Sequence, residues 1–233
     1  VERYTEKDYS HVWGNSSWQK WALLRDPFEK LVSGWVNKCG EDGEDDVSQP
    51  NACYGCKHDF RCFILRNREQ LTNISLGIPG PTFGHADHFM PQYWFCNFRE
   101  RLEQHTMLFK YSKDESFKKS IRDAFLSIGW KDSIILDSWG ENKSEPFLAA
   151  ATKNRSSKDD KGEAFDIIRS NLTLIDTIFR TYLVDYLIFR FTLPPWISEA
   201  CDPIFMNVTQ TEIDEALVCK LMRLGLVQRA IRN

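Results

Sequence analysis

Short apolar runs and helical stripes take turns along this chain. Trp18 to Leu24 is a brief apolar run that ends at Arg25-Asp26-Pro27, which predicts a buried strand feeding a helix. The helix start is marked three times over: Asp26 can cap, Pro27 sits where a missing N–H costs nothing, and Glu29 stands at the third helical position to close a capping box. Phe28, Leu31, Val32, Trp35 and Val36 then follow the i, i+3, i+4, i+7, i+8 stripe of a helix packed on a sheet. A second strand-to-helix unit begins near Thr106 to Tyr111. There Ser112 and Glu115 offer another capping box ahead of Phe117, Ile121, Phe125 and Ile128, with Gly129 as terminator. Ala164 to Ile168 and Leu172 to Phe189 read as helical, Pro194-Pro195 stops that run, and Thr211 to Ile231 reads as one final amphipathic helix. The expected fold class is α/β, with a central, largely parallel sheet flanked by helices and a helical C-terminal half, in a single domain over 1–233.

Composition narrows the partners. With 233 residues, 42% apolar, a formal charge of −3 and a pI near 6.0, the chain can bury one sizeable core and carries no overall basic field. Nucleic acid is not an expected partner, and any anion site must be local. The acidic turn Glu41 to Asp46 and the polar run Lys153 to Gly162 read as exposed loops. No stretch approaches the ~18 continuous apolar residues of a membrane span. Because the chain starts at Val1, it is expected to be a fragment or processed form with its targeting segment upstream. Glycosylation sequons start at Asn15, Asn73, Asn142, Asn154, Asn171 and Asn207, and seven cysteines include a cluster at Cys39, Cys53, Cys56 and Cys62. Together they favour a secretory route and disulfides formed in an oxidising lumen. Pairing is expected among Cys39, Cys53, Cys56, Cys62 and Cys96, with Cys53 and Cys56 bonded to different partners.

The densest chemistry lies in Leu24-Arg25-Asp26-Pro27-Phe28-Glu29-Lys30-Leu31-Val32-Ser33-Gly34-Trp35. It sets an always-charged guanidinium at the carboxyl end of a strand and a hydroxyl two turns into the next helix, where open α/β sheets bind ligands. Arg25 can hold a phosphate in bidentate fashion, and Ser33 adds a donor. This segment resembles the 3′-phosphate-binding motif R-D-P-[FW]-x-R-[LF]-x-S-[AG]-[YFW] of the Golgi carbohydrate sulfotransferases related to chondroitin 4-sulfotransferase and the HNK-1 sulfotransferase. Asn37-Lys38, His88-Phe89-Met90-Pro91-Gln92, Phe109-Lys110-Tyr111 and Tyr182 to Phe189 are similar to further motifs of that family, in order, so the resemblance spans about Trp21 to Leu193.

The resemblance implies a P-loop-like sulfotransferase fold, 3′-phosphoadenosine 5′-phosphosulfate as co-substrate, a glycan acceptor of chondroitin or similar kind, and no metal. In this reading Arg25 and Ser33 hold the 3′-phosphate, Arg155 and Ser156 close over the nucleotide, and His88 is the base. Lys110 faces the donor or an acidic sugar, His85 is assigned to the substrate, and His85 and Asp87 compete with His88 for the role of base. It implies a type II membrane protein of the Golgi lumen, or a secreted form, held to the membrane only through an N-terminal anchor absent from this chain. The family's 5′-phosphosulfate loop has no counterpart in Val1 to Lys20, so this chain alone is expected to show little or no transferase activity. An inactive sulfotransferase-like glycan- or nucleotide-binding module is the alternative. Cys53-Tyr54-Gly55-Cys56 raises a more remote zinc or redox reading, His85-Ala86-Asp87-His88 a metal reading, and Lys118, Lys119 and Arg122 a basic face for an acidic glycan.

Overall fold

Strand β1 forms over Trp21–Leu24 and pairs in parallel with β2, Met107–Lys110, in the register Trp21↔Met107, Ala22↔Leu108, Leu23↔Phe109 and Leu24↔Lys110. The computed structural model describes residues 19–40, 51–78, 86–95, 98, 107–112, 114–132, 158–202 and 208–227. These fall into two units, one of Val1–Asp26 with Tyr93–Ala150, the other of Pro27–Gln92 with Ala151–Asn233.

In the first unit, helix α3 (Glu115–Ser127) turns Phe117, Ile121 and Phe125 onto Phe109 and Tyr111 of the β2 segment, and Trp21 meets Phe125 edge-on at 5.5 Å. The cover is centred on β2. Trp21 and Leu23 therefore stay 50% and 44% exposed, where the sequence predicts a buried strand. The expected capping box at Ser112 does not form either. Asp114 is the residue at the cap, and Ser112 Oγ instead donates to Asp114 Oδ2 at 2.7 Å, because it lies two residues upstream of the cap position. Gly129, at φ +89°, follows the end of the helix as expected. On this helix Lys118 is paired with Glu115 and Arg122 chelates Asp132, so two of the three cations of the suggested basic face already have carboxylate partners. The Arg122 hydrogen bonds hold the Asp132 carboxyl below the usual carboxylate range.

The second unit is helical. Helix α1 (Pro27–Cys39) begins at the expected proline and buries Phe28, Leu31, Val32, Trp35 and Val36, each worth about 1.5–3 kcal/mol of transfer free energy before the cost of ordering. Its neighbours are α4 (Lys158–Arg169), α5 (Leu172–Ile188) and the 3₁₀ turn Ala86–Phe89. Helix α2 (Phe60–Ser75) packs on α5, and Trp35 meets Phe60 at 4.6 Å between ring centroids. Asn171, the sequon residue, caps α5 by accepting from Leu174 N at 3.1 Å. Pro195 does more than stop α5: it opens the short helix α6 (Pro195–Ala200).

The expected long final helix is two pieces, α7 (Gln210–Glu215) and α8 (Leu217–Arg223), broken at Ala216, whose backbone is extended. The break is set from outside the segment. Asp176 on α5 accepts from Val218 N at 3.0 Å, and Arg180, paired with the same Asp176 at 2.5 Å, donates to Glu215 O at 3.3 Å. One ion pair thus caps the end of α7 and the start of α8. A disulfide from Cys201 to Cys219 fixes α8.

Gly34 marks the closest approach in this unit. A Cβ there would stand 2.9 Å from Cε1 of Phe89, a ring with no exposed surface. Gly→Ala inside a helix ordinarily gains about 1 kcal/mol. At Gly34 the overpacking term of about 1–3 kcal/mol exceeds it, so Gly34→Ala is expected to lower the melting temperature. A thermal melt that rises instead would show that the Phe89 ring yields.

Candidate functional site

The parallel register makes one rim of the carboxyl ends of β1 and β2, extended by Tyr111 N donating to Leu24 O at 2.6 Å. Arg25 leaves that rim half-buried, its Nε covered, with the guanidinium carbon 5.4 Å from the centroid of the Tyr111 ring. Lys110, the last residue of β2, is exposed. Strand alternation sends it to the face opposite Phe109 and Tyr111, so Arg25 and Lys110 share an edge but not a side. Ser33 belongs to the second unit, half-buried on α1.

In that second unit, three of the stretches that sequence comparison singles out meet. Lys30, one turn before Ser33, donates from Nζ to His88 O at 2.8 Å and to Met90 O at 2.7 Å. Tyr182 Oη donates to Phe89 O at 2.7 Å, and Asp185 Oδ2 accepts from Gln92 N at 2.8 Å. The carbonyls of three consecutive residues are thus each held by a side chain. Asp185 and Tyr182 are fully buried, whereas the His88 side chain is exposed and its amide donates to Asp87 Oδ1 at 3.0 Å. The network extends inward, with Asn67 Nδ2 donating to Tyr182 Oη at 3.3 Å and Tyr54 Oη donating to Asn67 Oδ1 at 3.2 Å.

Burial pushes the phenols of Tyr54 and Tyr182 well above the ordinary tyrosine range; the Asp87 charge adds to the first, and the Asn67 hydrogen bond only partly offsets the second. The folded state therefore keeps protons that the unfolded chain releases near pH ~10. The stability they confer is complete below that pH and is lost as the pH rises past it. Of the seven tyrosines, these two are expected to ionise only as the chain unfolds in base. Tyrosinate absorbance titrated beside circular dichroism checks this, and their early ionisation in folded protein would contradict it.

Tyr54 lies in a run of left-handed residues, Cys53 at φ 51°, Tyr54 at 60° and Lys57 at 53°, bounded by disulfides Cys39–Cys53 and Cys56–Cys62. Cys53 and Cys56 do take different partners, as expected, and the zinc or redox reading of that pair fails because both sulfurs are consumed. Among the described residues no group of three or more His, Cys, Asp or Glu side chains could hold a metal, and no helix is long and apolar enough to cross a membrane. His85, Arg155, Ser156, Cys96 and the sequons at Asn15, Asn142, Asn154 and Asn207 lie outside the described residues.

Sequence reasoning missed Lys30, Asn67 and Tyr54. For Lys30 a signal existed, since it stands where the motif carries a second arginine.

The sulfotransferase family's sequence model matches residues 3–192. An uncharacterized protein of Caenorhabditis elegans is 26% identical over 186 residues, 77% of this chain and 49% of that protein. The carbohydrate sulfotransferase chst-1 of the same organism is 22% identical over 180 residues, 75% of this chain and 53% of its own length. A third C. elegans protein, vep-2, is 32% identical over 98 residues, 41% of this chain and 29% of that protein. The chain therefore spans about half the length, or less, of the curated relatives it matches. No solved structure matches it. With the family's pattern running through β1, α1, the His88 segment and α5, this chain belongs to the sulfotransferase family.

Proposed function

We propose that the protein transfers a sulfuryl group from 3′-phosphoadenosine 5′-phosphosulfate to a hydroxyl of a glycan, in the lumen of the secretory pathway. Family membership and the likeness to chst-1 support the reaction class and a carbohydrate acceptor. Disulfides and sequons support the compartment. The observation that carries the reading is Arg25, a cation at the carboxyl rim of a parallel strand pair and two residues before the first residue of α1.

The donor supplies the activated sulfur. In this reading Arg25 and Ser33 bind the 3′-phosphate, and Arg155 and Ser156 close over the nucleotide. The acceptor oxygen attacks sulfur, the bond from sulfur to the phosphate oxygen breaks, and the hydroxyl proton passes to the His88 imidazole. An exposed imidazole on a fixed backbone suits a base that must meet a sugar hydroxyl. Lys110 and His85 are assigned to the acceptor.

Calorimetric titration with adenosine 3′,5′-bisphosphate tests the reading. Binding by the wild type that weakens in Arg25→Ala is the expected result. Equal affinity in the two proteins overturns the assignment.

A further inference from the structure

We infer that Lys30 and Tyr182 are positioning residues for His88, fixing the backbone from which its imidazole projects; this rests on the proposed role of His88 as base. Residues 88 and 89 end the 3₁₀ turn Ala86–Phe89 and Met90 follows it, so the carbonyls of 88 to 90 must find hydrogen-bond partners outside the turn. Water could satisfy many of them. The His88 carbonyl faces solvent, yet Lys30 spans it and the Met90 carbonyl with one ammonium. Between them Tyr182 takes the Phe89 carbonyl from below, and Asp185 takes the Gln92 amide beyond. Phe89 is itself wedged against Gly34, one residue after Ser33, and against Phe63 at 4.7 Å between ring centroids.

Four backbone groups within five residues are thus immobilised by side chains of α1 and α5, and the one side chain left at the surface beside Asp87 is the imidazole. That pattern fits a group whose direction matters more than its burial. Mere satisfaction of the segment would not require a lysine at a carbonyl that water reaches.

The test is amide hydrogen exchange on the full chain, read with the two-dimensional spectrum of the histidine rings, in which His88→Gln identifies the His88 signal. Lys30→Met is expected to speed exchange at His88, Phe89, Met90 and Gln92 by about tenfold and to shift the His88 ring signal, while protection in α2 and α5 holds. Lys30→Arg, which keeps two donors on a cation, should restore both. If Lys30→Met does not fold, Tyr182→Phe, which removes only the hydroxyl, gives the same readings. An unmoved His88 signal, or exchange that rises equally across α5, overturns the inference by reducing these contacts to general stability. Nucleotide affinity unchanged in Arg25→Ala would instead sink the donor assignment and leave the exchange result standing.

Discussion

Arg25→Ala is expected to weaken adenosine 3′,5′-bisphosphate binding by about a hundredfold, and Arg25→Lys by about tenfold. A hydrogen bond to a charged group contributes about 1.5–3 kcal/mol, and a factor of ten in affinity corresponds to about 1.4 kcal/mol. Alanine removes both charge and fork, whereas lysine keeps the charge as a point and loses the bidentate match to phosphate. The salt dependence should follow suit: affinity for the polyanionic nucleotide falls with ionic strength in the wild type, and more shallowly in the alanine variant. Because the guanidinium also lies against Tyr111, losing it removes a cation–π contact worth about 0.5–1 kcal/mol. A thermal melt therefore accompanies the titration, and a small drop there beside a large loss of affinity separates binding from folding.

Removing the Cys39–Cys53 bridge by the double substitution Cys39→Ala, Cys53→Ala is expected to destabilise the protein by about 3 kcal/mol, the chain-entropy value for a closed loop of its length. In a protein of this size that corresponds to a melting temperature lower by roughly 6–12 °C. Cys56–Cys62 closes only 6 residues, so its removal should cost about 2 kcal/mol by the same rule. The larger bridge has a further role. Cys53 and Tyr54 both occupy left-handed backbone that non-glycine residues seldom adopt, and the cross-link to the end of α1 helps hold them there. Once it is cut, Tyr54 is expected to leave Asn67. Non-reducing and reducing thermal melts of the wild type, compared with the two double variants, measure all of this, and equal losses from the two bridges would contradict the loop-length account.

The sequence revealed those features whose causes are local. Pro27 begins α1 where the proline predicts, its apolar stripe is the buried one, and Gly129 follows α3 in the left-handed conformation expected of it. Where the cause is tertiary, the pattern misled. Ala216 offers no local reason to stop a helix, because the groups that cap the break belong to Asp176 and Arg180, far upstream in the chain. The run of left-handed residues around Cys53 was equally invisible, since none but Gly55 announces such a conformation in its type. For the candidate site, motif resemblance points to Arg25, Ser33 and His88, while the Tyr182 to Phe189 stretch carries no assigned role. Its role is plain only when the Phe89 carbonyl and Gln92 amide are seen as its partners. Lys30 was overlooked for a similar reason, because its partners are main-chain oxygens that no side-chain pattern encodes.

Arg25 and Lys110 are neighbours by alignment of two strands running the same way, not by proximity in the chain. The connection between β1 and β2 can lengthen or shorten at its surface turns without disturbing them, as loop closure depends only weakly on length. A deletion or insertion of one residue inside the four-residue β2 is another matter: it would turn every following side chain of that strand over, bringing Lys110 to the side now occupied by Tyr111 and stripping the Arg25 guanidinium of the ring beneath it.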